Sequence, residues 1–361
     1  MSNLSPESLE RRYDVDWVRI IALILLIIYH AVIAFQFWAH ELIFFLENET
    51  PLPQLWLGMS LINIWRIPLL FLVSGLATYY ALRRRTLSQL VGDRTWRILF
   101  PALIGLFLIC PLNLLIVQSY YKYDLLWIPN PGHLWFLFNI FAYILILLPI
   151  FYWMQKIPNN WILKTTRTLF KQPTTLLLLT LPFAAQAILL DPTHYSAFFL
   201  NLHGFTIGLI AFFMGFLLAA TGSVFWHSVE KFRHSALCIA LSLYGIRLLY
   251  YRLENIPNIL QGIESILWIL AVLGYASKHL NQNSSALKIL SPAVYPIYIL
   301  HLPVQFALST YLFPLQIHPL FKLILLIAGT FTTCWILYRF LRAIPILRPA
   351  LGMPFRNKRK T

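Results

Sequence analysis

Ten apolar stretches, separated by short polar segments, run along the chain. They cover residues 17–39, 56–81, 98–119, 134–154, 174–190, 202–221, 236–252, 261–279, 290–311 and 319–339. A helix needs about 20 predominantly apolar residues to cross a bilayer. The pattern therefore predicts an all-α, polytopic membrane helical bundle of about ten transmembrane helices. The polar segments differ in charge by parity. Arg11-Arg12, Arg83-Arg84-Arg85 with Arg94 and Arg97, Lys156 to Lys171, Lys231 and Arg233, Lys278 to Lys288, and Arg339 to Lys360 fall on one side. Glu41, Glu47, Glu49, Asp124, Asp191 and Glu254, with few cations among them, fall on the other. Excess Lys and Arg marks cytoplasmic loops, so both termini are expected in the cytoplasm. The expected organisation is a cytoplasmic segment 1–16, a single transmembrane domain 17–339 and a basic cytoplasmic tail 340–361.

Composition agrees with this reading. Of 361 residues, 59% are hydrophobic and only 11% charged, where soluble domains carry about 25%. The net charge of +15 sits in the short segments between apolar stretches. It reports topology, and no nucleic-acid partner is expected. Cys110, Cys238 and Cys334 all lie in apolar stretches, which implies neither a disulfide framework nor a zinc site. The histidines are scattered, so no metal is expected. MSNLSPESLERRYD lacks a small-residue cleavage site, and the first span is expected to be retained. No Walker A, GxSxG or HExxH pattern is present.

Function is sought in the polar residues that interrupt the apolar stretches, because ionisable groups in hydrocarbon are costly. Arg19 and His30 lie eleven residues apart in RIIALILLIIYH, close to three helical turns. They share one helix face at an axial separation of about 16 Å. Arg19 alone also fits a snorkelling cation. His30 fits either a hydrogen-bonded packing residue or a general base. In the second stretch, Arg66 reaches about the depth of His30, and Pro68 frees a backbone carbonyl nearby. Ser74-Gly75 is better explained by close helix packing than by a nucleophile turn. Arg94 and Arg97 stand at i and i+3, as stop-transfer charges or as a phosphate clamp. Pro101 is expected to open the helix end there. His133 precedes the fourth span. His301 lies mid-span between Pro296 and Pro303, which suggests an irregular helix lining a cavity. Arg247 and Glu264 lie at similar depth on consecutive spans, as a structural salt bridge would require. Asp16, His133, Tyr298, His301 and Glu264 are the further candidates for a cavity wall.

The motifs resemble, in order, those of the membrane-bound acyltransferase-3 family. YDVDWVRIIALILLIIYH is similar to its opening helix with Arg-x10-His. RIPLLFLVSG resembles its second-helix pattern, and DRTWRILFP its Arg-x-x-Arg followed by proline. GHLWFL and YPIYILH are similar to the branch that includes glucan biosynthesis protein C, a glucan succinyltransferase. The resemblance runs from Asp16 to His301. It implies O-acylation of carbohydrate on the far side of the bacterial inner membrane, with cytoplasmic acyl-CoA as co-substrate and no permanently bound cofactor. It makes His30 the catalytic histidine and Arg19 its motif partner, with Arg94 and Arg97 holding the donor. Arg66 departs from the relatives, which often have a smaller residue or His there. A cation at that depth suits an oxyanion. Acyl-CoA, a carbohydrate or glycan acceptor and membrane lipids are thus the expected partners, with no expectation for oligomeric state. Direct transfer and an acyl-histidine intermediate both remain open. The rival reading is a transporter or flippase for an anionic solute, which also uses broken helices and buried charges. The absence of repeated halves argues against it.

Overall fold

The computed structural model describes residues 11–42, 45–157 and 160–354, and among these every regular element is helical. The helices are α1 (Tyr13–Ile33), α2 (Trp56–Asn63), α3 (Arg66–Leu82), α4 (Leu87–Arg94), α5 (Phe100–Ile104), α6 (Cys110–Tyr121), α7 (Trp135–Lys156) and α8 (Trp161–Leu169). They continue as α9 (Thr180–Leu190), α10 (Leu202–Thr221), α11 (Ser223–Leu249), α12 (Asn258–Leu280), α13 (Ser285–Leu290), α14 (Val294–Leu312) and α15 (Pro319–Ala343). Among the described residues, nine stretches are long and apolar enough to cross a membrane. The expected span 236–252 is not one of them. It falls in α11, where Arg233 and Arg247 bracket the apolar stretch and Glu230 and Lys231 lie just before it. Residues 1–10 of the expected N-terminal segment and 355–361 of the expected tail lie outside the described residues.

The chain forms two compact units. One holds the chain up to Arg19, Ser60–Leu90 and Ala142–Leu287; the other holds Ile20–Met59, Val91–Phe141 and the chain from Lys288. In the first unit, α3 and α10 touch backbone to backbone. A Cβ on Gly75 would lie 1.9 Å from the Phe212 carbonyl oxygen, and one on Gly215 would lie 1.9 Å from that of Leu72. Ser74 donates its hydroxyl to the Leu70 carbonyl at 2.8 Å. The Ser74-Gly75 pair therefore serves helix packing, as small residues in membrane helices commonly do.

The second span, expected to be continuous over 56–81, is split between α2 and α3. Pro68 causes the break: it has no N–H to give the Ile64 carbonyl, and its ring crowds that oxygen. The released carbonyl accepts from the Ser265 hydroxyl at 3.0 Å. Two further carbonyls at the end of α2 are also capped. Leu61 accepts from Trp65 Nε1 at 2.7 Å, and Ser60 accepts from Arg247 Nη2 at 2.7 Å.

In the second unit, the third span keeps its helical course through two prolines. Thr95–Leu99 and Gly105–Ile109 each form one π-turn, ending two residues before Pro101 and Pro111 respectively. The wider turn takes up the proline ring, so the helix does not open at Pro101 as expected. It widens and continues as α5. Pro111 frees the Phe107 carbonyl, which accepts from Trp127 Nε1 at 3.2 Å. Beyond α15, Pro349 and Leu351 are buried. Gly352 (φ +68°) lies so close to the Tyr295 ring and the Arg97 carbonyl that a Cβ would overlap both.

Candidate active site

His30 lies in the last turn of α1. The helix starts at Tyr13 and ends at Ile33, against an expected 17–39, so His30 is near the far end of the helix. The chain past it is enclosed by protein: Ala31, Val32, Ala34 and Phe35 pack with Leu46, Leu52, Phe306 and Phe313.

His301 is fully buried in the middle of α14. Its ring stacks on that of His30 with centroids 5.2 Å apart and planes 9° from parallel. His30 Nδ1 and His301 Nε2 are 3.0 Å apart. His301 Nδ1 lies 2.6 Å from the Tyr298 carbonyl oxygen. A carbonyl only accepts, so in neutral His301 the proton is on Nδ1 and Nε2 accepts. His30 must then donate through Nδ1–H. That places the His30 lone pair on Nε2, the atom suited to a general base.

His133 completes the group. Pro303 lies inside α14 and frees the Ile299 carbonyl. His133 Nε2–H donates to that oxygen across 3.1 Å. Its ring meets that of His301 edge-on at 5.1 Å, and Tyr298 Oη donates to the His133 carbonyl at 2.6 Å. Gly132 makes the entry to α7 possible: its φ is +43°, and a Cβ there would lie 2.8 Å from Cys110 Sγ. Sequence reasoning placed His133 at the edge of a span but missed its partner. The signal was present, because a proline at position 303 releases the carbonyl four residues earlier. Among the described residues no group of His, Cys, Asp and Glu has the arrangement to hold a metal ion.

The same unit carries the arginine pair. Arg94 ends α4, and Arg97 lies in the π-turn, with its Nε 3.0 Å from Asp93 Oδ1. The π-turn replaces the regular helical register assumed for an i, i+3 pair. Arg97 is about half exposed and Arg94 is partly buried. Arg94 is within electrostatic reach of Tyr295, whose ring stacks on Tyr298 at 6.4 Å. A line of polar side chains therefore runs from Arg94 through Tyr295, Tyr298 and His133 to His301 and His30.

The other sequence candidates belong to the first unit. Asp16 pairs with Arg11 at 2.7 Å and lies 3.8 Å from Arg19. The buried carboxylate at this end is Asp14, which pairs with Arg12, and Arg12 also bonds Ser277 and covers the Trp226 ring. Arg66 is buried at the first position of α3. Glu264, a candidate for a cavity wall, is fully buried in an ion pair. Arg247 Nε lies 3.0 Å from its Oε2, Arg247 Nη2 donates to its Oε1 at 3.1 Å, and so does Trp268 Nε1. Its carboxylate is thus a structural partner of Arg247.

No curated protein and no solved structure matches this chain. A family profile described as an acyltransferase domain matches residues 12–339, nearly the whole chain and every residue of the histidine and arginine groups above. The chain therefore belongs to the acyltransferase-3 family.

Proposed function

We propose that this membrane acyltransferase moves an acyl group, acetyl or succinyl, from cytoplasmic acyl-CoA to a hydroxyl of a carbohydrate or glycan on the outer side of the bacterial inner membrane. That it is an acyltransferase with several membrane spans follows from the family and the helices. Donor, acceptor and sidedness are the proposal. The observation that carries it is the His30–His301 contact, which fixes the His30 lone pair on Nε2. In the proposed step, Nε2 takes the proton of the acceptor hydroxyl, and the oxygen attacks the thioester carbonyl. The tetrahedral intermediate collapses, the C–S bond breaks, and the CoA sulfur recovers the proton from the His30 imidazolium. His301 keeps Nδ1–H of that imidazolium engaged throughout, as an orienting partner does for a catalytic histidine.

The line from Arg94 to His30 supports the donor assignment, because coenzyme A is a phosphorylated anion with a long arm. Guanidinium groups bind phosphate oxygens well, and the arm would follow Tyr295 and Tyr298 toward the imidazole. No step is routed through Arg19 or Arg66. The motifs GHLWFL and YPIYILH resemble those of the glucan biosynthesis protein C branch, which favours succinyl as the acyl group and a glucan as acceptor.

The test is turnover by purified protein in lipid nanodiscs, with acetyl-CoA or succinyl-CoA and candidate glycans. Free thiol is measured together with the mass of the acylated product. His30→Ala is expected to lower turnover by about 10²–10⁴-fold while leaving the thermal transition in place. Near-normal turnover in that variant would make the imidazole structural and overturn the mechanism.

A further inference from the structure

A second feature lies in the first unit, among residues the acyl-transfer reading does not use. A shallow, open cavity of about 700 Å³ lies at the ends of α3 and α7, most of its lining residues exposed. Arg83, Arg84, Arg85 and Lys156 line it with Tyr152 and Ser88, and no acidic residue is part of the wall. Leu82 and Lys156, both in the wall, are the last residues of two membrane-spanning stretches. The cavity therefore sits where hydrocarbon gives way to headgroups. Tyr152 belongs at such a level, since its ring is apolar and its hydroxyl polar. Lys156 Nζ lies 5.3 Å from the centre of that ring. The wall also includes the start of α4, where Thr86 and Gln89 cap each other reciprocally. A helix N-terminus adds partial positive charge on the same side.

Topology alone accounts for cations in this segment. It does not account for a shallow concavity whose lining brings four of them together with the hydroxyls of Tyr152, Thr86 and Ser88 and no carboxylate. Guanidinium forks and an ammonium in one concavity match a phosphate group, and basic pockets at this membrane level suit anionic lipid headgroups. We propose that the cavity binds a phosphate-bearing anion, and that an anionic phospholipid supplies it through its headgroup. The proposal is independent of the acyl-transfer reading.

The test uses the full-length protein. Nanodiscs of phosphatidylcholine are compared with nanodiscs containing phosphatidylglycerol, by thermal stability and by lipids retained in native mass spectrometry. Inorganic phosphate and coenzyme A are titrated separately against the phosphatidylcholine sample. Retained phosphatidylglycerol and a raised transition temperature are expected, and Arg84→Gln with Arg85→Gln should lose at least fivefold of the retained lipid. Ser88→Trp leaves every charge in place and fills the cavity from an exposed position. It should lose the lipid to a similar extent, which a purely topological role of the arginines would not produce. Lys156→Gln provides a further arm if the tryptophan variant folds poorly. Stabilisation by inorganic phosphate or coenzyme A, lost in Ser88→Trp, would keep the phosphate site and replace the lipid by a soluble ligand. Equal lipid retention by wild type, Ser88→Trp and Lys156→Gln, with no response to phosphate, would overturn the proposal.

Discussion

At the scale of single residues, protonation geometry matters more than the mere presence of histidines. His301 uses Nδ1 on a backbone carbonyl, so only Nε2 remains to receive His30. Loss of that acceptor frees His30 to rotate and to adopt the other tautomer. His301→Ala is expected to lower kcat at least about tenfold, with little change in the donor KM. Glutamine can return an acceptor oxygen near the position of Nε2, so His301→Gln should recover part of kcat. Steady-state kinetics of both variants provide the check, and equal activity of alanine and glutamine variants would remove the tautomer argument. Arg247 and Glu264 give a second prediction. Both are almost wholly buried, so removing either partner leaves the other charge unpaired in low dielectric. Each single variant, Arg247→Met or Glu264→Leu, should lose about 3–5 kcal/mol. The double variant should recover much of that, since an apolar pair needs no desolvation. Recovery should fall short by about 1–3 kcal/mol, because Arg247 also caps the Ser60 carbonyl. Thermal unfolding in detergent distinguishes this from simple additivity.

At the scale of elements, the prolines organise the helices through the carbonyls they release. Pro68 leaves Ile64 to Ser265, Pro111 leaves Phe107 to Trp127, and Pro303 leaves Ile299 to His133. In hydrocarbon such carbonyls have no water to turn to, and side chains of other elements satisfy them. Each proline thereby ties its helix to a particular neighbour. His133→Ala should cost about 1–3 kcal/mol through the stranded Ile299 carbonyl. Pro303→Ala restores a backbone N–H to that oxygen, so in its background the loss from His133→Ala should be clearly smaller. A thermal-stability cycle over the two positions measures the coupling. Additive losses would mean that the His133 bond does not serve the carbonyl Pro303 releases.

At the scale of the whole molecule, topology determines which compartment supplies the donor. The alternation of basic and acidic segments predicts Glu49 outside and Ser285 inside. Both are exposed, whereas the neighbouring Asn48 is fully buried and accepts from Lys322. Cysteines placed at 49 and 285, in a background with the exposed Cys238 replaced by serine, should react with an impermeant maleimide on intact cells at 49 only. Labelling at both positions from outside would overturn the predicted orientation, and with it the donor side. The nine qualifying stretches leave α11 as the element whose place in the membrane such labelling would also establish.

The sequence by itself determined class, element type and most helix positions, because these depend on local hydropathy and on proline and glycine chemistry. It also singled out His30, His301, Arg94, Arg97 and the Arg247–Glu264 pair, since a charge or imidazole in an apolar run has few reasons to be there. Tertiary structure decided which of these meet. His30 and His301 are 271 positions apart, and only the packing of α1 against α14 sets one nitrogen 3.0 Å from the other. The caps on Ile64 and Ile299 depend in the same way on contacts between distant elements. Spacing along the chain records which groups a helix releases; which distant side chain satisfies them is decided by how the helices pack.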